Sequence, residues 1–260
     1  MPTLKYGKRL VFFIAINLLL CTLLIAQKKD STKFDRQLGV SVTVTNNGIA
    51  VIPTFSLGKP AGFINFKAGR RLTFEPEFWF SLEGKPWANV FWVRYKIIKT
   101  KKFILNTGVH PSLVFGSSNV IENGVSSEII KVQRYVAAEI SPNYVISKNI
   151  AVGIYYLFSI GARESVNKHT HFITLNSTIS DIPLFRDFYF RVSPQIYYLK
   201  IDNHDGMYYS SAFGLSKDKF PVSFQYLFNN PIHSTIAGGQ DFVWNVSLIY
   251  SFNKNFVTVR

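Results

Sequence analysis

Three groupings in this chain have the residue types and spacing for chemistry. The first is a set of charges: Lys67, then Glu75 and Glu77 two apart, then Arg94 and Lys96 two apart. Residues two apart in an extended strand share a face, and opposite charges on facing strands support one another. A hairpin centred near Lys85–Pro86 predicts Glu77 facing Arg94 and Glu75 facing Lys96. Such a set either bridges the inside of a fold as a structural network or lines a path that selects solutes by charge. The second is His110-Pro111-Ser112, which puts an imidazole and a hydroxyl on one strand face, with Glu139 on the next strand. Base, nucleophile and orienting carboxylate are the parts of a hydrolytic site, provided that geometry joins them. The third is His169 with His171, and Asp202-Asn203-His204-Asp205-Gly206. Neither supplies a third metal ligand, and the second reads better as a turn. No glycine-rich phosphate loop is present, so the chain is read with no catalytic residues, no metal and no cofactor.

The elements that must position these residues are strands. Alternating segments fall at about 49–58, 62–68, 72–82, 88–98, 103–116, 129–146, 150–161, 171–180, 187–201, 207–216, 220–229 and 242–252. The last shows the pattern best. Phe242, Trp244, Val246, Leu248, Tyr250 and Phe252 make one face, and Asn245, Ser247 and Ser251 lie on the other. One face for lipid and one for a watery lumen is the signature of a membrane strand. Short connections (Ala68–Arg71, Thr100–Lys102, Ser147–Asn149, Asp181–Arg186, Ser216–Lys219) alternate with longer polar ones (Ser117–Glu128, Ala162–Thr170, Asn230–Asp241). That asymmetry suits an up-and-down barrel with both termini on one side. The expected fold is all-β, an antiparallel up-and-down transmembrane β-barrel of about twelve strands, with ten and fourteen as its bounds. Leu38–Val44 also alternates and would make thirteen, so it is either a periplasmic extension or a first strand. Arg134 breaks the pattern, because alternation turns it to lipid beside Val132 and Val136; a bulge there, or an interfacial position, would account for it.

The amino end has signal-peptide anatomy. Lys5, Lys8 and Arg9 precede an apolar run from Leu10 to Ile25, and polarity returns after Ala26. Cleavage is expected after Ala26. The expected segments are 1–26 signal peptide, 27–48 periplasmic extension or first strand, 49–252 outer-membrane barrel and 253–260 tail. The only cysteine, Cys21, lies in that leader, which excludes a disulfide scaffold or a thiolate site in the mature chain. Net charge is +14, and subtracting the three leader cations leaves +11. The cations lie in turns and among alternating strands and carry no nucleic-acid signature, so no nucleic acid is expected as a partner. Apart from the leader, no stretch is long and apolar enough for a membrane helix, and only a closed barrel then satisfies the backbone in lipid. A soluble barrel with an apolar interior also alternates. The small, uncharged polar face argues against it, since solvated surfaces are dense in Lys and Glu.

With apolar faces outward, the lumen receives a charge cluster of Lys67, Glu75, Glu77, Arg94, Lys96, Glu139 and Arg191, and the polar residues Asn106, His110, Gln133, Tyr135, Gln195 and Tyr197. The chain resembles outer-membrane β-barrel proteins of Bacteroidetes, flavobacterial type. The resemblance rests on Ile25-Ala26-Gln27, Phe91-Trp92-Val93-Arg94-Tyr95-Lys96, Gln133-Arg134-Tyr135, Pro194–Leu199 and Trp244–Leu248. It implies the outer membrane as location and lipid as surroundings, and no motif in it has a known chemical role. The His-x-Ser pair with a glutamate is similar to that of lipid A deacylases, but those work at the lipid-facing wall and this pair points inward. Three functions stay open: a small porin-like or solute-transport barrel passing hydrophilic or anionic solutes, a structural barrel with a plugged lumen and partner-binding loops, and a lipid-modifying hydrolase.

Overall fold

A computed structural model describes residues 36–50, 56–122, 125–163, 165–236 and 242–256. They form twelve antiparallel strands: β1 (Arg36–Thr45), β2 (Ala61–Gly69), β3 (Leu72–Ser81), β4 (Pro86–Lys99), β5 (Phe103–Glu122), β6 (Val125–Val145), β7 (Ile150–Gly161), β8 (His169–Pro183), β9 (Phe188–Ile201), β10 (His204–Lys217), β11 (Val222–Ser234) and β12 (Val243–Phe256). Each strand pairs with its sequence neighbour, and β1 pairs with β12 from Arg36↔Phe256 to Thr45↔Ser247. The sheet is therefore a closed barrel without edges, the one arrangement that lets strands satisfy their backbone groups in lipid. No helix among the described residues is long and apolar enough to cross a membrane.

The outer surface is apolar along every strand that alternates. Trp244, Val246, Leu248, Tyr250 and Phe252 are all exposed on β12, while Val243, Asn245 and Ser247 are buried against the interior. On β3, Leu72 and Phe74 are exposed while Thr73 and Glu75 are buried. Val136, Ile140, Ile154, Ile160, Ile173, Leu175 and Ile196 continue the belt across β6 to β9. Apolar exposure on this scale is not found on a solvated monomer and fits hydrocarbon.

Twelve strands are present, but not the expected twelve. The segment 38–44 lies within β1. In the expected strand 49–58, the described residues Ile49, Ala50 and Ser56–Gly58 are not strand, and 51–55 lie outside the described residues. Ile49 is buried, and Gly48 lies against the Ala61 and Trp87 side chains, so these two residues fold into the barrel mouth. The expected tail at Asn253 is also corrected: Asn253–Phe256 continue β12, because β1 is there to pair with them. The leader and its cleavage site lie outside the described residues.

The rim bearing the termini has short turns at 70–71, 100–102, 146–149, 184–187 and 218–221. The opposite rim is less regular than expected. Most of the predicted loop 117–128 is strand, because β5 and β6 pair as far as Glu122↔Val125. Their neighbours stop earlier, at Ala88↔Val114 and Tyr135↔Gly161, so the hairpin projects past the barrel. No register shift occurs at Leu113↔Arg134, so Arg134 stays outward without a bulge, just above the end of β7.

Candidate functional site

The charged cluster assembles in the lumen, nearer the terminal rim. Lys67 Nζ lies 2.6 Å from Glu75 Oε1, and Arg94 Nη1 lies 2.5 Å from Glu75 Oε2. Arg94 Nε donates to Glu139 Oε1 at 2.7 Å, and the Tyr155 hydroxyl donates to Glu139 Oε2 at 2.7 Å. Thr73 Oγ1 adds a donor to Glu75 at 2.8 Å. The network ties β2, β3, β4, β6 and β7 together across their inner faces.

The partners differ from those expected. Strands β3 and β4 pair as Thr73↔Arg94, Glu75↔Trp92 and Glu77↔Val90, four residues away from a hairpin centred at Lys85–Pro86. The turn is tight at Leu82–Lys85, and the register slips between Trp79 and Phe80. Glu75 therefore sits diagonal to Arg94 and takes the guanidinium that Glu77 was expected to hold. Lys96 faces Asn106 across β4 and β5 and makes no ion pair among the described residues, and Arg191 is an exposed residue on the far wall.

Gly108 makes room for the bridge. It lies between Arg94 and Glu139 in register, and a Cβ there would come within 2.9 Å of Arg94 Cγ and 3.0 Å of Glu139 Oε1. Arg94 also lies over the Trp92 ring, 3.9 Å from its centroid, and the His110 ring meets that indole with centroids 4.0 Å apart. This bears on the His-x-Ser pair. His110 and Ser112 share the lumen face and are both buried, but both Glu139 oxygens belong to Arg94 and Tyr155. His110 Nδ1 and Asn106 Oδ1 are buried without a hydrogen-bond partner among the described residues. No triad is joined by the contacts present.

Beside the network lies a cavity of about 730 Å³. Arg94 and Glu77 line it together with Trp79, Trp87, Trp92, Tyr155, Leu157 and Phe172, and Ser141, Asn143 and Asn176 continue the lining toward the terminal rim. Ala50 reaches it from the connection after β1. A buried apolar cluster runs round the inner wall through Val90, Trp92, Ala137, Leu157, Phe172, Tyr197, Leu199, Ile201 and Tyr208. The interior is thus less polar than alternation suggests. Gln133, Tyr135 and Gln195 line the cavity as expected, with the Tyr135 hydroxyl donating to Gln133 Oε1 at 2.6 Å. Tyr197 packs behind, and its hydroxyl donates to Asn229 Oδ1 at 2.7 Å. Tyr155 and Gly108 escaped the sequence reading, although the alternation that turns Tyr156 outward also turns Tyr155 inward.

The histidine pair points away from the lumen. His171 Nδ1 lies 2.9 Å from the Tyr156 hydroxyl, and its ring sits 4.8 Å from Phe158 on the outer face. Among the described residues no group of three His, Cys, Asp or Glu is placed to hold a metal ion. Asp202 does form a turn. It has a φ of 52°, and its carboxylate accepts from the Lys168 and His169 amides at 3.1 and 2.7 Å. Those two amides, His169 first, hold its pKa below the ordinary aspartate value.

No protein-family model and no curated protein matches the chain. Similar solved structures include the NanC porin, at 13% identity and TM-score 0.46, over 85% of this chain and 100% of that one. Another is outer-membrane expressed OmpT of Vibrio cholerae, at 8% identity and TM-score 0.45, over 87% and 99%. A third is LpxR from Salmonella typhimurium, at 11% identity and TM-score 0.46, over 82% and 99%. The likeness is one of fold.

Proposed function

We propose that this chain is an outer-membrane barrel that takes up a small solute in a constricted lumen, and is not a general diffusion pore. The closed sheet and the apolar outer belt support the membrane location, and the signal-like leader supports export. The observation that carries the solute reading is the cavity of about 730 Å³ beside the ion network of Arg94, Glu75 and Glu139. Small-molecule sites have volumes of roughly 300–1,000 Å³ and apolar walls with a few convergent polar groups. A wide aqueous channel instead has a polar interior throughout. Twelve strands stand between the filled eight-stranded barrel and the open sixteen-stranded one, so side chains decide how much of the lumen stays free. Here aromatic rings and an ion network take up much of it.

The test is planar-bilayer recording combined with solute binding to the purified protein. The expected result is small or absent conductance steps, together with a change in indole fluorescence when a small aromatic solute such as benzyl alcohol enters. Large ohmic steps without any binding would refute the reading.

A further inference from the structure

Resting on that reading, the state of the two charges on the chamber wall points to the class of solute. Among the acidic and basic side chains, Glu77 and Arg94 line the cavity. Arg94 is shared by Glu75 and Glu139, and Lys67 is held by Glu75. Glu77 lines the cavity and makes no ion pair among the described residues. Lys96 lies two positions beyond Arg94 toward the terminal rim and does not line it. Trp79, two residues from Glu77 on the same face, packs against Trp87 with centroids 5.1 Å apart. Phe63 meets both indoles edge-on at 5.5 and 5.6 Å. Trp79 Nε1 is buried without a hydrogen-bond partner of good geometry among the described residues.

We propose that the chamber binds an organic cation with an apolar body, with Glu77 as its counter-ion and the Trp79 and Trp87 indoles as its aromatic wall. An ammonium group is drawn both to a desolvated carboxylate and to the electron-rich face of an indole. The same two features repel an anion. The Trp92 face is already covered by Arg94, which leaves Trp79 and Trp87 for the ligand. Val90, Leu157 and Leu227 give the apolar body a surface to bury. A strongly hydrated inorganic cation gains nothing from such walls, so the pairing of charge with apolar bulk is what the site selects.

The experiment titrates the membrane-purified protein with three probes of similar size: benzyltrimethylammonium, benzyl alcohol and benzenesulfonate. Binding is read by calorimetry and indole fluorescence. The cation should bind at least about tenfold more tightly than the neutral probe, which corresponds to about 1.4 kcal/mol, and the sulfonate should bind worst. Glu77→Gln should bring the cation down to the level of benzyl alcohol, while Glu77→Asp, which keeps the charge, should retain the preference. Trp79→Leu should weaken the cation about threefold, within the range of a cation–π contact. Equal binding of the three probes, or an unchanged cation affinity in Glu77→Gln, would overturn the cation assignment and leave the chamber reading standing. Failure of all three probes to bind a folded, heat-modifiable barrel would overturn both.

Discussion

Arg94→Met tests whether the lumen network holds the barrel together. Three hydrogen bonds are lost: Nη1 to Glu75 at 2.5 Å, Nε to Glu139 at 2.7 Å and Nη2 to Glu139 at 3.5 Å. Glu75 keeps Lys67 and Thr73. Glu139, with 3% of its side chain exposed, keeps only the Tyr155 hydroxyl on its carboxylate. Removing one partner of a buried pair costs about 3–5 kcal/mol, because the other charge is left uncompensated. The Arg94 side chain is 26% exposed, which places the loss at the low end, about 3 kcal/mol. Adding Glu139→Gln removes the stranded charge and should restore about 2 kcal/mol of it, since a neutral substitute for a buried pair is often tolerated. Urea unfolding of the protein in lipid vesicles, followed by far-UV circular dichroism, measures both. A loss under about 1 kcal/mol for Arg94→Met, or a double variant no more stable than the single one, would show that water reaches this cluster and that the network is not structural.

Gly108→Val should disrupt the same bridge by overpacking, costing about 1–3 kcal/mol in the same unfolding assay, because even a Cβ crowds Arg94 and Glu139. Brominated lipid should quench the indole fluorescence that Trp244→Phe removes, and should leave that of Trp79, Trp87 and Trp92 untouched, since only Trp244 of the four faces outward. The Asp202 cap should weaken with acid. Its folded pKa lies below the ordinary value, so its stabilisation is present above that value and is lost as pH falls through the folded pKa, below about pH 4. Hydrogen-exchange protection of the Lys168 and His169 amides should therefore fall in that window, and Asp202→Asn, which tolerates the positive φ, should remove the pH dependence. Lys85→Ala should leave unfolding unchanged, because the pair of Lys85 with Glu128 is exposed on both sides.

Much of this molecule is legible in its sequence. The period-two pattern of β12 and β3 separates lipid face from lumen face along most of each strand, with Trp79 and Val243 as apolar residues on the lumen side. The same parity brings Lys67, Glu75, Arg94 and Glu139 to one side, because the pleat is a local property of the chain. It does not say which strand pairs with which, or in what register. The stretches 38–44 and 49–58 alternate equally well, and only closure against β12 selects the first as a strand. The β3–β4 register depended on the turn at Leu82–Lys85 and the slip beside Trp79, which shifted Arg94 from Glu77 to Glu75. Alternation also describes a lumen face as polar or apolar without saying what fills the space across it. Leu157, Phe172 and Leu199 point inward among polar neighbours, and they become a wall only when the curve of the barrel brings them together with Val90, Trp92 and Tyr197. Sequence sets the face of each side chain because that depends on its own backbone. The tertiary structure decides its partner because that depends on how the barrel closes.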